Sequence, residues 1–196
     1  MCFELLCPSV GYQEHARASG EQGFCYGMSY LWIKGVVSGE IKNLRQPVFA
    51  AAQKEQRKYE TFLVSRKDRE NILYQYFDFQ RNTELCSINS SIAKGNAAAN
   101  DMVNALASSP GNVAVLVGWH CIEKNPADST GHATALARLN GVVYFYDPNR
   151  GFFKWKQTPG ATLVGDLVHY MTKVLRYSPR AELIGALECK PAPQKR

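Results

Sequence analysis

The spacing of apolar positions changes character part-way along the chain. From residue 24 to 37 the run FCYGMSYLWIKGVV sets Met28, Leu31, Trp32 and Ile33 at helical offsets, which predicts a helix carrying Cys25 in its first turn. Residues 47–56 are rich in Ala and Gln, 67–80 hold Ile72, Leu73, Tyr76 and Phe77 at helix spacing, and 95–108 predicts a further helix ended by Pro110-Gly111. Beyond Pro110 the period shortens. Residues 112–119, 132–139, 142–147 and 151–156 predict four strands, with Asn140-Gly141 as a two-residue hairpin turn between the second and third. Helical spacing returns over 162–176 through Leu163, Leu167, Tyr170, Met171 and Val174, and 181–189 predicts a closing strand. Helices first and antiparallel strands after describe an α+β domain in two segregated layers. One domain spans 1–196 without internal repeat, with 1–22 as a lead-in segment and 190–196 as a disordered tail.

Composition narrows the class. Hydrophobic residues make up 45% and charged residues 20% of the 196 positions, as in a soluble globular protein. The net charge of +6 favours acidic partners or anionic surfaces without specifying one. Over 54–70 the basic residues Lys54, Arg57, Lys58, Arg66, Lys67 and Arg69 interleave with Glu55, Glu60, Asp68 and Glu70, as on a solvated helix face. No aromatic-basic reader motif accompanies them, which argues against nucleic acid as a partner. Six cysteines without a CxxC or tight spacing read as reduced thiols. The first ten residues lack the pattern of a Sec signal peptide, and no apolar stretch approaches the ~20 residues that span a bilayer. These features suit a cytosol, either that of the producing cell or another.

Three segments carry candidate chemistry. Gly23-Phe24-Cys25-Tyr26-Gly27 places a thiol at a helix tip, where unpaired N–H groups or an imidazolium lower a cysteine pKa from ~8.5 toward roughly 3.5–7.5. The flanking glycines leave room for a substrate backbone; the ordinary alternative is a buried cysteine in an apolar helix. Gly131-His132-Ala133 puts a histidine at the head of a strand, and Tyr146-Asp147-Pro148-Asn149 a carboxylate at the end of the next. Pairing through the Asn140-Gly141 turn sets Ala133 or Thr134 opposite the end of Asp147's strand, making His132 and Asp147 near neighbours. A carboxylate so placed fixes the imidazole tautomer while the other nitrogen takes the thiol proton. A strand-end histidine and a plain Asp-Pro-Asn turn remain the alternatives.

GFCYGMSYLWIKG, GHATAL and YFYDPNRGFF together resemble the three active-site blocks of the YopT/AvrPphB-type cysteine peptidases, in the same order and at similar intervals. The resemblance covers the chain from Cys25 to about Phe153. It implies a papain-like cysteine protease fold, a helical N-terminal half packed on a C-terminal antiparallel sheet. By position Cys25 is then the nucleophile, His132 the base and Asp147 the orienting acid, with no cofactor and no metal. It further implies a protein substrate, met in a host cell after delivery from a bacterium without a Sec signal; the oligomeric state stays open.

One departure concerns the oxyanion hole. The papain pattern supplies a side-chain amide five or six residues before the nucleophile, and here Ser19 and Gly20 stand there, leaving Gln22 as the nearest amide. No N-terminal Met-Gly acylation motif is present, and membrane contact is not otherwise indicated, although a chain of +6 would gain from an anionic membrane. The short stretch before Cys25 also suits a self-processed fragment. The same triad serves a deamidase, transglutaminase or acyltransferase, and a non-catalytic binding module is the reading from another class. His120-Cys121 with Cys86 or Cys189 matches no zinc pattern. His15 is expected in a polar loop, His169 on a helix surface, Trp119 and Trp155 in the core or cleft wall, and Trp32 beneath the nucleophile helix.

Overall fold

The computed structural model describes residues 2–18, 23–39, 44–65, 89–94, 96–125, 130–174 and 179–190. Strand β1 (Phe3–Pro8) is followed by helices α1 (Tyr12–Ala18), α2 (Cys25–Ser38) and α3 (Phe49–Ser65). Strand β2 (Asn89–Lys94), helix α4 (Asn96–Leu106), strands β3 (Val113–Ile122), β4 (Thr130–Leu139), β5 (Val142–Asp147) and β6 (Gly151–Trp155), helix α5 (Leu163–His169) and strand β7 (Arg180–Lys190) complete the order. A π-helical turn, Tyr170–Val174, extends α5. The helix expected over 67–80 lies outside the described residues.

The seven strands among the described residues form one sheet in the order β1-β6-β5-β4-β3-β7-β2, with every pairing antiparallel. Alternation along the strands divides the core in two. Ala114 and Leu116 of β3, Ala135 and Ala137 of β4 and Tyr146 of β5 share a core with Tyr12 of α1, with Phe24, Met28, Trp32 and Ile33 at the start of and along α2, and with Ala52 of α3. Val115, Val117 and Trp119 of β3 with Leu136 and Phe145 pack instead with Ala99, Val103 and Leu106 of α4 and Leu163 and Leu167 of α5. The sheet therefore carries helices on both faces. The expected two-layer arrangement is corrected to three layers, because β3 and β4 are apolar on both sides and neither side tolerates water.

The expectation of a purely helical first half is corrected as well. β1 and β2 both belong to the first half and form the two edges of the sheet. In β1 only Phe3 is buried, so Phe-Glu-Leu-Leu-Cys-Pro shows none of the alternation that announces a half-buried strand. The nominal lead-in thus contributes β1 and α1, and the C-terminal strand runs through Lys190, with 191–196 outside the described residues. The hairpin turn behaves as its residues require: Asn140 and Gly141 take φ of 49° and 81°, both left-handed. Its register pairs Ala135 with Tyr146.

Candidate active site

Helix α2 begins at Cys25 and points its tip toward β4. Phe24, its N-cap, has no side chain able to cap, and the Phe24 N–H instead donates to the Tyr12 hydroxyl at 3.0 Å. Gly27 packs α2 against α3 so closely that a Cβ there would overlap the Ala52 carbonyl oxygen, and its N–H donates to Gln56 Oε1 at 3.3 Å. The room at Gly27 is therefore taken by the neighbouring helix rather than left to a substrate. Gly23 adopts φ +136°, a conformation for glycine alone.

One turn below Cys25, the buried Ser29 hydroxyl donates to the Ala133 carbonyl at 3.1 Å, tying α2 to the residue after His132. Trp119, opposite His132 across the β3–β4 ladder, donates Nε1–H to Thr134 Oγ1 at 2.7 Å. Pairing between β4 and β5 reaches Ala135–Tyr146 at this end of the ladder. Beyond it lie His132 and Asp147, with His132 Nε2 3.2 Å from Asp147 Oδ1. Both are shut away from water: the Asp147 side chain is fully buried and that of His132 is 8% exposed. Asp147 Oδ1 also accepts the Asn149 N–H at 3.0 Å, and the Arg150 N–H returns to the Asp147 carbonyl, so the Asp-Pro-Asn turn and the histidine acceptor are the same structure.

Cys25 is only partly buried, and its sulfur is in hydrogen-bonding contact with His132 and with the backbone N–H groups of Ala133 and Tyr26. Burial pushes the thiol up, but the hydrogen bond and charge of His132 and the two N–H groups together outweigh it and leave the pKa lowered from its ordinary 9.0. Burial likewise pushes His132 down, and the Asp147 carboxylate followed by the Cys25 sulfur overcomes it, raising the imidazole to about 10. Both shifts favour a thiolate beside an imidazolium over the neutral pair. Because Asp147 occupies Nε2, Nδ1 is the nitrogen left for the thiol proton.

The other candidates separate from this group. Gln22 lies outside the described residues, as does Cys86. Cys121 and Cys189 are buried, and burial pushes their thiols up to about 11 and about 12, which suits neither nucleophile nor ligand. Among the described residues no group of three or more His, Cys, Asp or Glu is arranged to hold a metal. His15 is not in a loop but on α1, stacked on Phe49 at 4.9 Å. His169 ends α5 on the surface, Trp119 and Trp155 lie in the core under α4 and α5, and Trp32 is buried beneath α2. Tyr12 was invisible to the sequence pattern: it contacts Phe24 only through the tertiary fold, and nothing local marks it.

No protein-family model matches the chain, and no curated protein does. A crystal structure of the Pseudomonas avirulence protein AvrPphB superposes on it over 94% of this chain and 95% of that one, with a TM-score of 0.54 at 14% identity. The likeness is one of fold. No helix among the described residues is long and apolar enough to cross a membrane.

Proposed function

We propose that the chain is a papain-like cysteine protease with Cys25 as nucleophile, His132 as general base and acid, and Asp147 as the group that orients the histidine. The observation that carries this reading is the continuous contact from sulfur to imidazole to buried carboxylate, the last step at 3.2 Å. The Cys25 thiolate attacks a peptide carbonyl, and the carbon–nitrogen bond breaks as the imidazolium gives its proton to the leaving amine. A thioester remains. His132, now neutral, takes a proton from water, and the hydroxide equivalent releases the acid and regenerates the thiol. Asp147 needs only to hold the ring and stabilise its charge.

The substrate is a protein of a host cell, and the chain is a bacterial effector acting in that cell's cytosol. Support comes from the fold likeness to a Pseudomonas avirulence protein together with the motif resemblance. The test is a comparison of wild-type and Cys25→Ala protein in host lysate, with new N-termini identified by mass spectrometry. Cleavage products formed by the wild type alone are expected. Identical N-termini with a deamidated or acylated target would transfer the triad to amide or acyl chemistry, and full biological activity of Cys25→Ala would overturn enzymatic function altogether.

A further inference from the structure

Helix α2 starts without a side-chain cap, yet it must present a sulfur to an imidazole with little tolerance. What holds its tip comes from α1. Tyr12, 6% exposed, lies with its ring 4.8 Å from that of Phe24, and its hydroxyl oxygen accepts the Phe24 N–H at 3.0 Å. Gly23 completes the arrangement: at φ +136° it turns the chain so that the next N–H meets the hydroxyl, and a Cβ on it would sit 3.1 Å from Tyr12 Oη. Hydroxyl and glycine are thus fitted to each other on the residue before the nucleophile.

We propose that Tyr12 is a positioning residue for Cys25, its buried hydroxyl anchoring the Gly23-Phe24 turn from which α2 presents the thiol to His132. The phenol acts as a neutral group: burial, and then the charge of Cys25, hold its pKa far above the ordinary 10.0, so it keeps its proton while accepting the bond. Loss of the hydroxyl leaves the Phe24 N–H buried without its acceptor and frees the turn to shift, lengthening the thiol–imidazole contact that favours thiolate.

This inference rests on the thiolate–imidazolium reading, and the test separates the two. The rate of Cys25 alkylation by iodoacetamide is followed across pH on its own peptide in wild type, Tyr12→Phe, Gly23→Ala, His132→Ala and Tyr170→Phe. Tyr12→Phe keeps the ring, Gly23→Ala disturbs the same turn from the other side, and Tyr170→Phe removes a hydroxyl from the opposite core. Tyr12→Phe and Gly23→Ala are expected to slow alkylation in the mildly acid range by about 3- to 10-fold, the worth of one hydrogen bond, with the profile moved toward alkaline pH. Tyr170→Phe is expected to retain the wild-type profile. Wild-type profiles in Tyr12→Phe, or in Gly23→Ala should Tyr12→Phe not fold, overturn the role of Tyr12. A wild-type profile that His132→Ala leaves unmoved overturns the ion-pair reading instead.

Discussion

At Cys25 the penalty of burying a charge and the attraction of a charged neighbour are both present, and the neighbour wins. His132 shows the mirror case, with Asp147 supplying the larger share. The two shifts have opposite consequences for pH. His132, raised from 6.5 to about 10, stabilises the fold most fully below pH 6.5, and that contribution drains away as pH rises through about 10. Cys25, lowered from 9.0, contributes above pH 9 and loses its contribution as pH falls through its lowered value. Under the proposed mechanism the same groups would give a bell: the thiolate would be lost on the acid side, and the imidazolium that protonates the leaving amine would be lost near pH 10. Alkylation of Cys25 is therefore expected to fall less between about pH 8 and about pH 6 in the wild type than in His132→Ala, which removes the charge that favours thiolate and slows the reaction at least ~10-fold at the lower pH. Peptide mass spectrometry distinguishes Cys25 from the exposed Cys7. Parallel rates at the two pH values in both proteins would remove the ion pair from the mechanism.

Among the elements, α2 bears the most constraints, since its tip faces His132, one side faces α3 and Ser29 fastens it to β4. Gly27 sits where the two helices nearly touch backbone to backbone, and the obstacle to any larger residue is the Ala52 carbonyl, not a side chain that could swing aside. Gly27→Ala is expected to lower stability by about 1–3 kcal/mol despite the better helix propensity of alanine, read from the midpoint of urea unfolding. A midpoint equal to or above that of the wild type would mean that α3 can withdraw without loss. The same glycine shows the limit of reading a motif: its place beside Cys25 was legible, but its purpose was not, because the nearest helix is fixed by packing. Elements with strong periodicity, α2 and the strands β3 to β7, stood out in the sequence. β1 did not, because an edge strand with one buried residue leaves no alternation, and the two-sided burial of the sheet was hidden because a fully apolar strand does not say what covers it.

Across the whole molecule, the start of the chain returns to the site from a great sequence distance. β1 pairs with β6, the Ser9 hydroxyl donates to the Pro148 carbonyl at 2.6 Å, and the Ser9 N–H donates to the Arg150 carbonyl at 3.0 Å, so the turn after Asp147 is braced from outside. Gln46 fastens the brace, its side-chain amide accepting the Val10 N–H and donating to the Val10 carbonyl, both at 3.2 Å. Cys25, His132 and Asp147 were legible because each sits in a short motif; Ser9, Gln46 and Tyr12 were not, because only the closed sheet brings them there. Gly151 is where the brace meets the turn: it has φ +123°, and a Cβ on it would overlap the Cys7 carbonyl oxygen. Gly111 offers a matched control, with φ +82° but open space around it. Both Gly151→Ala and Gly111→Ala bear the cost of a left-handed alanine, of order 1–3 kcal/mol, but only Gly151→Ala must also push β1 off β6. Gly151→Ala is therefore expected to melt at a lower temperature than Gly111→Ala, and to show faster amide exchange at Asn149 and Arg150, whose N–H groups bond to Asp147. If the two variants melt together and the exchange at Asn149 is unchanged, the first strand is an appendage to the sheet and Asp147 is held in place without it.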